Sequence, residues 1–169
     1  MNNIGIIGTG NMAGAILEGA LNKGFLHAKN VYIYNRSIWR NDKYTDKYSD
    51  INISIDFENM VKNSKYIVVG VKPYAYSEVL NQIKPFLNNE HVVISIAAGV
   101  SIDDIESVIG SAAKVVRTMP NTPALVLEGM TAITYNVNVA EKEKKYISDL
   151  FDQVGKSEVI DEKLMDIIP

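Results

Sequence analysis

Near its start the chain places a short apolar run, Ile4-Gly5-Ile6-Ile7, directly before Gly8-Thr9-Gly10, and continues as Asn11-Met12-Ala13 into an amphipathic stretch. No other feature restricts the fold as tightly. Four residues are too few for a helix, so the run reads as a buried strand. Gly8 permits a sharp turn out of that strand, and Gly10 leaves the backbone open to close approach by a ligand. Ala13 is small enough for the following helix to pack on the strand. The first N–H groups of such a helix have no partner within it and, with the helix dipole, favour an anion. Glycine-rich turns are common, but Gly-x-Gly-x-x-Ala after a strand and opening a helix is the context in which a dinucleotide pyrophosphate is held.

The remaining chain continues the alternation. Asn11 to Asn22 reads as the first helix and Val31 to Tyr34 as a second strand. Ile51 to Ile55 alternates apolar and polar residues, and a short helix is expected from Phe57 to Asn63. Tyr66 to Val71 is apolar and β-branched throughout, as in a strand covered on both faces. Pro73 stops it, and Ala75 to Phe86 reads as a helix. His91 to Ala97 is another strand, and Ser101 suits a helix N-cap with Asp103 and Asp104 behind it. Strands are expected at Lys114 to Thr118 and Met130 to Tyr135, and a charged amphipathic helix from Val139 to Val154. Ser37 to Asp50 is polar and tyrosine-rich; it is the stretch most open to disorder, though a short surface helix with a long loop is preferred. The pattern predicts an α/β fold of the Rossmann type: a doubly wound, mostly parallel sheet with helices on both faces. Residues 1–160 are expected to form this domain, and residues 161–169 to begin a linker or helix.

The end of the second strand bears on the choice of nucleotide. Proteins that bind NAD usually carry an Asp or Glu there to accept from the ribose 2′-OH. This chain has Asn35-Arg36-Ser37, with Arg40 and Lys43 beyond. Asn35 carries no charge to repel a 2′-phosphate, Arg36 can grip one through two donors, and Ser37 can donate to it. NADP(H) is therefore the preferred cofactor, with NAD(H) a possible one. Ligands of open α/β sheets sit at the carboxyl ends of the strands. Three more segments belong at such ends: Gly70-Val71-Lys72-Pro73, the small-residue run Ser95 to Ser101, and the proline-flanked Met119-Pro120-Asn121-Thr122-Pro123.

Composition narrows the chemistry further. With no cysteine in 169 residues there is no disulfide, thiolate metal site or cysteine nucleophile, and no metal site is expected. A net charge of −3 argues against nucleic acid or an anionic membrane as the main partner. No secretory signal or apolar stretch of roughly eighteen residues is present, so a cytoplasmic protein is expected. His27 and His91 fall in a connection and at a strand start, which suits structural roles better than catalysis.

Taken together, these segments resemble pyrroline-5-carboxylate reductase. The resemblance rests on Gly8-Thr9-Gly10-Asn11-Met12, Val71-Lys72-Pro73, Ser95 to Ser101, and Arg117-Thr118-Met119-Pro120-Asn121-Thr122-Pro123 continuing through Ala124, Glu128, Gly129, Met130 and Thr131. It implies reduction of a small-molecule substrate, the cyclic imine 1-pyrroline-5-carboxylate, to L-proline by hydride from NAD(P)H. By the same likeness Gly8, Thr9, Gly10, Asn11 and Met12 hold the pyrophosphate, and Asn35, Arg36 and Ser37 lie near the adenosine ribose. Val71, Lys72, Pro73, Ala97, Ala98 and Gly99 border the cofactor toward its nicotinamide, and Met119, Pro120 and Asn121 lie beside the reacting centre. No individual catalytic residue is assigned.

The resemblance has two gaps. Where the family carries an asparagine upstream of Val-Lys-Pro, this chain has Phe57, with Asn59 two residues later. The family also continues into an all-helical domain that binds the substrate carboxylate and builds a homo-oligomer. The chain reaches Pro169 where that domain should begin, so by itself it is expected to bind NADP(H) and to turn over poorly or not at all. Two other readings stay open: a non-catalytic nucleotide-binding or regulatory module, and the cofactor domain of a related hydroxyacid dehydrogenase.

Overall fold

Alternation along the central strands creates two cores, one on each side of a sheet. In the strand Ile4–Ile7 (β1), Ile4 and Ile6 enter one core and Ile7 the other. In Tyr66–Val69 (β4), Tyr66 and Val68 join the first core, Ile67 and Val69 the second. With both faces covered, every residue of these strands is buried, which is why they read as continuous apolar runs.

The computed structural model describes residues 2–167. The other strands are β2 (Val31–Tyr34), β3 (Asn52–Ile53), β5 (Val92–Ser95), β6 (Lys114–Pro120), β7 (Gly129–Tyr135) and β8 (Gly155–Val159). They form one sheet in the order β3-β2-β1-β4-β5-β6-β7-β8. All neighbours are parallel except β6 and β7, which form an antiparallel hairpin. The fold is thus Rossmann-like α/β, as the alternation of elements predicts. Helices α1 (Asn11–Asn22) and α6 (Glu141–Phe151) pack into the first core. Helices α3 (Phe57–Lys62), α4 (Tyr76–Ile83) and α5 (Ile102–Ile109) pack into the second. Ser101 caps α5 by accepting from Asp104 N–H, and Asp104 accepts from Ser101 N–H in return.

Several boundaries differ from the sequence reading. β4 stops at Val69, two residues early, although Gly70 N–H still donates to the Ile7 carbonyl of β1. The helix expected over Ala75 to Phe86 is α-helical only from Tyr76 to Ile83, with tighter turns at Pro73–Ala75 and Lys84–Phe86. Met119 and Pro120 are strand, not loop. Beyond Arg117 the neighbour β5 has ended, so β6 pairs only with β7 there and a proline is tolerated. The segment Ser37 to Asp50 holds a short surface helix, α2 (Trp39–Lys47), which is the reading preferred from the sequence. Strand β8 was absent from the reading: Lys156, Glu158 and Val159 are exposed on the sheet edge, and such a strand lacks an apolar signature. After it, α7 (Glu162–Met165) folds back so that Met165 is fully buried; Ile168 and Pro169 lie outside the described residues. Among the described residues no helix is long and apolar enough to cross a membrane.

At the amino ends of the strands, Glu143 of α6 is buried between Lys65 (3.0 Å) and Lys114 (2.8 Å) and accepts from Ala140 N–H (3.0 Å). Burial alone would raise its carboxyl pKa. Lys114, the Ala140 N–H and Lys65 outweigh that and hold it below the ordinary glutamate range. A depressed carboxyl stabilises the fold above its unfolded pKa, and this contribution is lost as pH falls through the folded value. Glu143→Gln is therefore expected to destabilise the chain by about 3 kcal/mol near neutral pH. Urea unfolding at successively lower pH should show the deficit closing once pH drops below about 4.

Candidate cofactor site

The strand order reverses between β1 and β4, and the crevice at this switch point is where open α/β sheets hold ligands. Gly8 leaves β1 with φ +82°, in the left-handed region that favours glycine. Its N–H donates to the Tyr34 carbonyl (2.9 Å), and Gly70 N–H donates to the Ile7 carbonyl (2.8 Å). The two strand ends are in close backbone contact. A Cβ on Gly70 would lie 2.6 Å from the Gly8 carbonyl oxygen and 2.7 Å from the Ala13 Cβ. Gly70 is thus as much a part of the turn as Gly8, a pairing invisible in local sequence because the two are far apart along the chain.

Helix α1 starts at this turn without a side-chain cap and with no acidic residue in its first turn. By contrast, Asp56 caps α3 and Ser101 caps α5. The unpartnered N–H groups of α1 therefore remain available to an anion. Thr9 N–H is already taken: it donates to Asn35 Oδ1 (2.8 Å). The Asn35 amide nitrogen donates to Thr9 Oγ1 (2.8 Å) and to Asn41 Oδ1 (2.9 Å). The Asn35 side chain thus fastens β2 to the glycine turn.

A cleft of about 340 Å³ opens here and gathers Gly8, Thr9, Gly10, Asn35, Arg36, Ser37, Val71 and Lys72 of the expected site, together with Arg40 and Tyr74. Phe57, in place of the family asparagine, lines it and packs on Tyr34 with ring centroids 4.3 Å apart. Asn59 is exposed outside this lining, and its backbone N–H donates to the Asp56 cap. Arg36 and Lys72 are exposed at the cleft, and no acidic side chain stands at the end of β2.

Other expected residues lie elsewhere. Met12 packs against the first core, and Ala97 is buried in the second. Ala98 and Gly99 are exposed beyond the end of β5, outside this cleft, and Pro73 opens the turn after Lys72. Asn11 faces a larger groove, about 710 Å³, between α1, α2 and the turn Thr122–Val126. That groove does not reach the end of β4, so the smaller cleft is the better match to a dinucleotide. Met119, Pro120 and Asn121 line a third hollow, about 300 Å³, with Met130, Glu158 and Ile160. Asn121 Oδ1 accepts from Met130 N–H (2.9 Å), which shapes the β6–β7 connection.

His91 is structural. Its Nδ1 accepts from Asn88 N–H (2.9 Å), which leaves Nε2 as the protonated nitrogen facing the Val61 carbonyl (3.1 Å). Burial lowers its pKa, partly offset by these backbone contacts. His27 is exposed ahead of a short turn. The sequence reading assigned no task to Arg117, which is only 2% exposed within β6. It pairs with Glu162 (3.2 Å) and Asp166 (2.7 Å), and Glu162 also accepts from Ile102 N–H (2.8 Å). One carboxylate so ties α7 to both β6 and the start of α5.

The family model described as NADP oxidoreductase, coenzyme F420-dependent, matches residues 3–99, more than half of the chain. The chain belongs to this family. It is also similar to the pyrroline-5-carboxylate reductase of Escherichia coli (strain K12), 35% identical over 162 residues, covering 96% of this chain and 60% of that protein. Among solved structures, a Plasmodium falciparum pyrroline carboxylate reductase with NADP bound shares 36% identity at a TM-score of 0.86, over 98% of this chain and 60% of that one. A pyrroline-5-carboxylate reductase from Coxiella burnetii superposes at a TM-score of 0.92 with 30% identity, over 97% and 61% of the two chains. The chain thus spans about 60% of the length of the relatives it matches.

The contact between Gly70 and Gly8 gives a direct test. Gly70→Ala forces a methyl against the Gly8 carbonyl and Ala13, and is expected to cost about 1–3 kcal/mol of stability, measured by urea unfolding.

Proposed function

We propose that the chain is the NADP(H)-holding part of a reductase that converts 1-pyrroline-5-carboxylate to L-proline. The observation that carries the cofactor assignment is the cleft at the switch point, with an uncapped α1 N-terminus beside two strand ends kept free of side chains. These residues fit a dinucleotide: the backbone of Gly8 to Met12 would hold the pyrophosphate. Arg36, Ser37 and Arg40 would take the adenosine end, where the lack of an acidic residue at Asn35 favours a 2′-phosphate. Val71, Lys72 and Pro73 would border the cofactor along the end of β4. The choice of imine substrate is supported by the likeness to pyrroline-5-carboxylate reductases along nearly the whole chain.

When bound, the nicotinamide would supply hydride to the imine carbon. A protonated imine is already electrophilic, so the chain's contribution is chiefly positioning. Ala97, Ala98 and Gly99 at the end of β5 leave room for a flat ring, and Met119, Pro120 and Asn121 would flank the reacting centre. Substrate-carboxylate ligands and a homo-oligomeric contact would come from an all-helical domain beyond Pro169, and the reaction would run in the cytoplasm.

Calorimetric titration tests the cofactor assignment. NADPH is expected to bind in the micromolar range and more tightly than NADH. Arg36→Ala should reduce NADPH affinity roughly tenfold with little change for NADH, since one charge-assisted contact is removed. Equal affinities in the parent chain would remove Arg36 from the specificity argument. The substrate is tested on the full-length gene product: NADPH oxidation with 1-pyrroline-5-carboxylate but not with keto acids is the expected outcome. The reverse would point to a hydroxyacid dehydrogenase.

A further inference from the structure

Helix α2 follows directly on the Arg36-Ser37 segment, and its hold on the domain is unusual. Only Asn41 and Tyr44 of its nine residues are buried. They lie three apart, on one face of the helix. Neither anchors it by apolar packing alone. The Tyr44 ring joins the first core, but its hydroxyl lies over Gly14, where a Cβ would sit 2.8 Å away. Asn41 Oδ1 accepts one of the two amide hydrogens of Asn35, whose other hydrogen and oxygen are both spent on Thr9. On the flank, Lys43 and Lys47 pair with Glu18 of α1, and these partly exposed contacts add little. Besides the Tyr44 ring, α2 is thus held by one buried hydrogen bond, from Asn35 to Asn41, and Asn35 carries it on to Thr9, the middle residue of the glycine turn.

We infer that Asn41 is a positioning residue for the cofactor: through Asn35 it locks the Arg36–Arg40 wall of the cleft to Thr9, so that the pyrophosphate turn and the adenosine-phosphate end act as one rigid unit. The inference rests on the cofactor reading above and extends it to a residue outside the cleft lining. Asn41 touches no part of the space a dinucleotide would fill, and its own turn of helix bears Arg40. A buried amide with every donor and acceptor used fixes geometry well, because any displacement leaves an unpaired polar group. Removal of the Asn41 acceptor orphans one Asn35 hydrogen and frees the wall to drift. The penalty falls on the ligand that needs the wall in register, the one carrying the 2′-phosphate.

The test compares NADPH and NADH affinities of the parent chain and of Asn41→Leu by calorimetry, with thermal unfolding as a check on folding. The expected result is a roughly tenfold fall in the NADPH-over-NADH preference, with NADH affinity within about twofold of the parent. A merely structural role would weaken both nucleotides together. Should Asn41→Leu fail to fold, Asn41→Ser, whose hydroxyl is shorter by one bond, reads the same ratio. If the parent binds both nucleotides and the ratio is unchanged in a folded variant, or both affinities fall alike, the positioning role is overturned while the site reading stands. If the parent binds neither, the site reading falls and this inference with it.

Discussion

The structure depends most on a steric constraint: at the carboxyl ends of β1 and β4, two stretches of backbone meet with no room for a side chain between them. Gly70 sits against both the Gly8 carbonyl and Ala13, so strand β4, the turn and the first residues of α1 are fixed by one contact. It holds the start of α1, which has no side-chain cap, beside the ends of β1 and β4. It also opens the cleft between the β1 and β4 ends instead of filling it with side chains. A methyl group here would be a change at a single atom with consequences for three elements.

Around that contact the molecule uses two kinds of adhesive. The sheet and most helices are held by apolar burial on both faces, with Ile16, Leu17, Leu150 and Phe151 on one side and Leu80, Ile83 and Ile105 on the other. At the functional rim, hydrogen bonds take over: Asn35 joins Thr9 to Asn41, and Thr118 Oγ1 donates to the Ser95 carbonyl (2.8 Å). The Tyr76 hydroxyl donates to the Val69 carbonyl and accepts from the Ser95 hydroxyl, each at 2.8 Å, linking the ends of β4 and β5. Apolar burial is non-directional, whereas a buried hydrogen bond weakens steeply when its partners move out of line. Strand ends that must present backbone at fixed spacing are therefore braced by the directional interaction. The charged clusters complete the division. Glu143 with Lys65 and Lys114 secures the amino ends of the strands, and Arg117 with Glu162 and Asp166 secures the late chain to β6.

Much of this was legible in the residues. The limits of β1, α1 and β2 follow from the chain itself, because each is a local pattern: a run buried on both faces, a turn that needs glycine, a helix with its apolar stripe. The cap at Ser101 was equally local. The misses have physical causes of two sorts. Strand β8 is a polar element held by sheet pairing, and it leaves no hydrophobic period to find, whereas the short surface helix preferred for Ser37 to Asp50 is present as α2. Met119 and Pro120 are strand because β7 pairs with them where β5 has already ended, a fact about neighbours and not about proline.

By itself the sequence determined that this chain builds a mostly parallel sheet with a glycine turn between its first strand and first helix. It also determined that the second strand ends in Asn35-Arg36-Ser37 without an acid, for these depend on residues adjacent in the chain. The tertiary structure decided which of the strand ends share a cleft. Arg36, Val71 and Lys72 meet the turn, while Ala98, Gly99 and Met119 to Asn121 lie apart from it. It also decided that Asn35 serves the fold with its side chain, that Gly70 completes the turn, and that Arg117 is clamped by α7. Such outcomes rest on distances between segments brought together only by the strand order, and a one-dimensional pattern carries no measure of those distances.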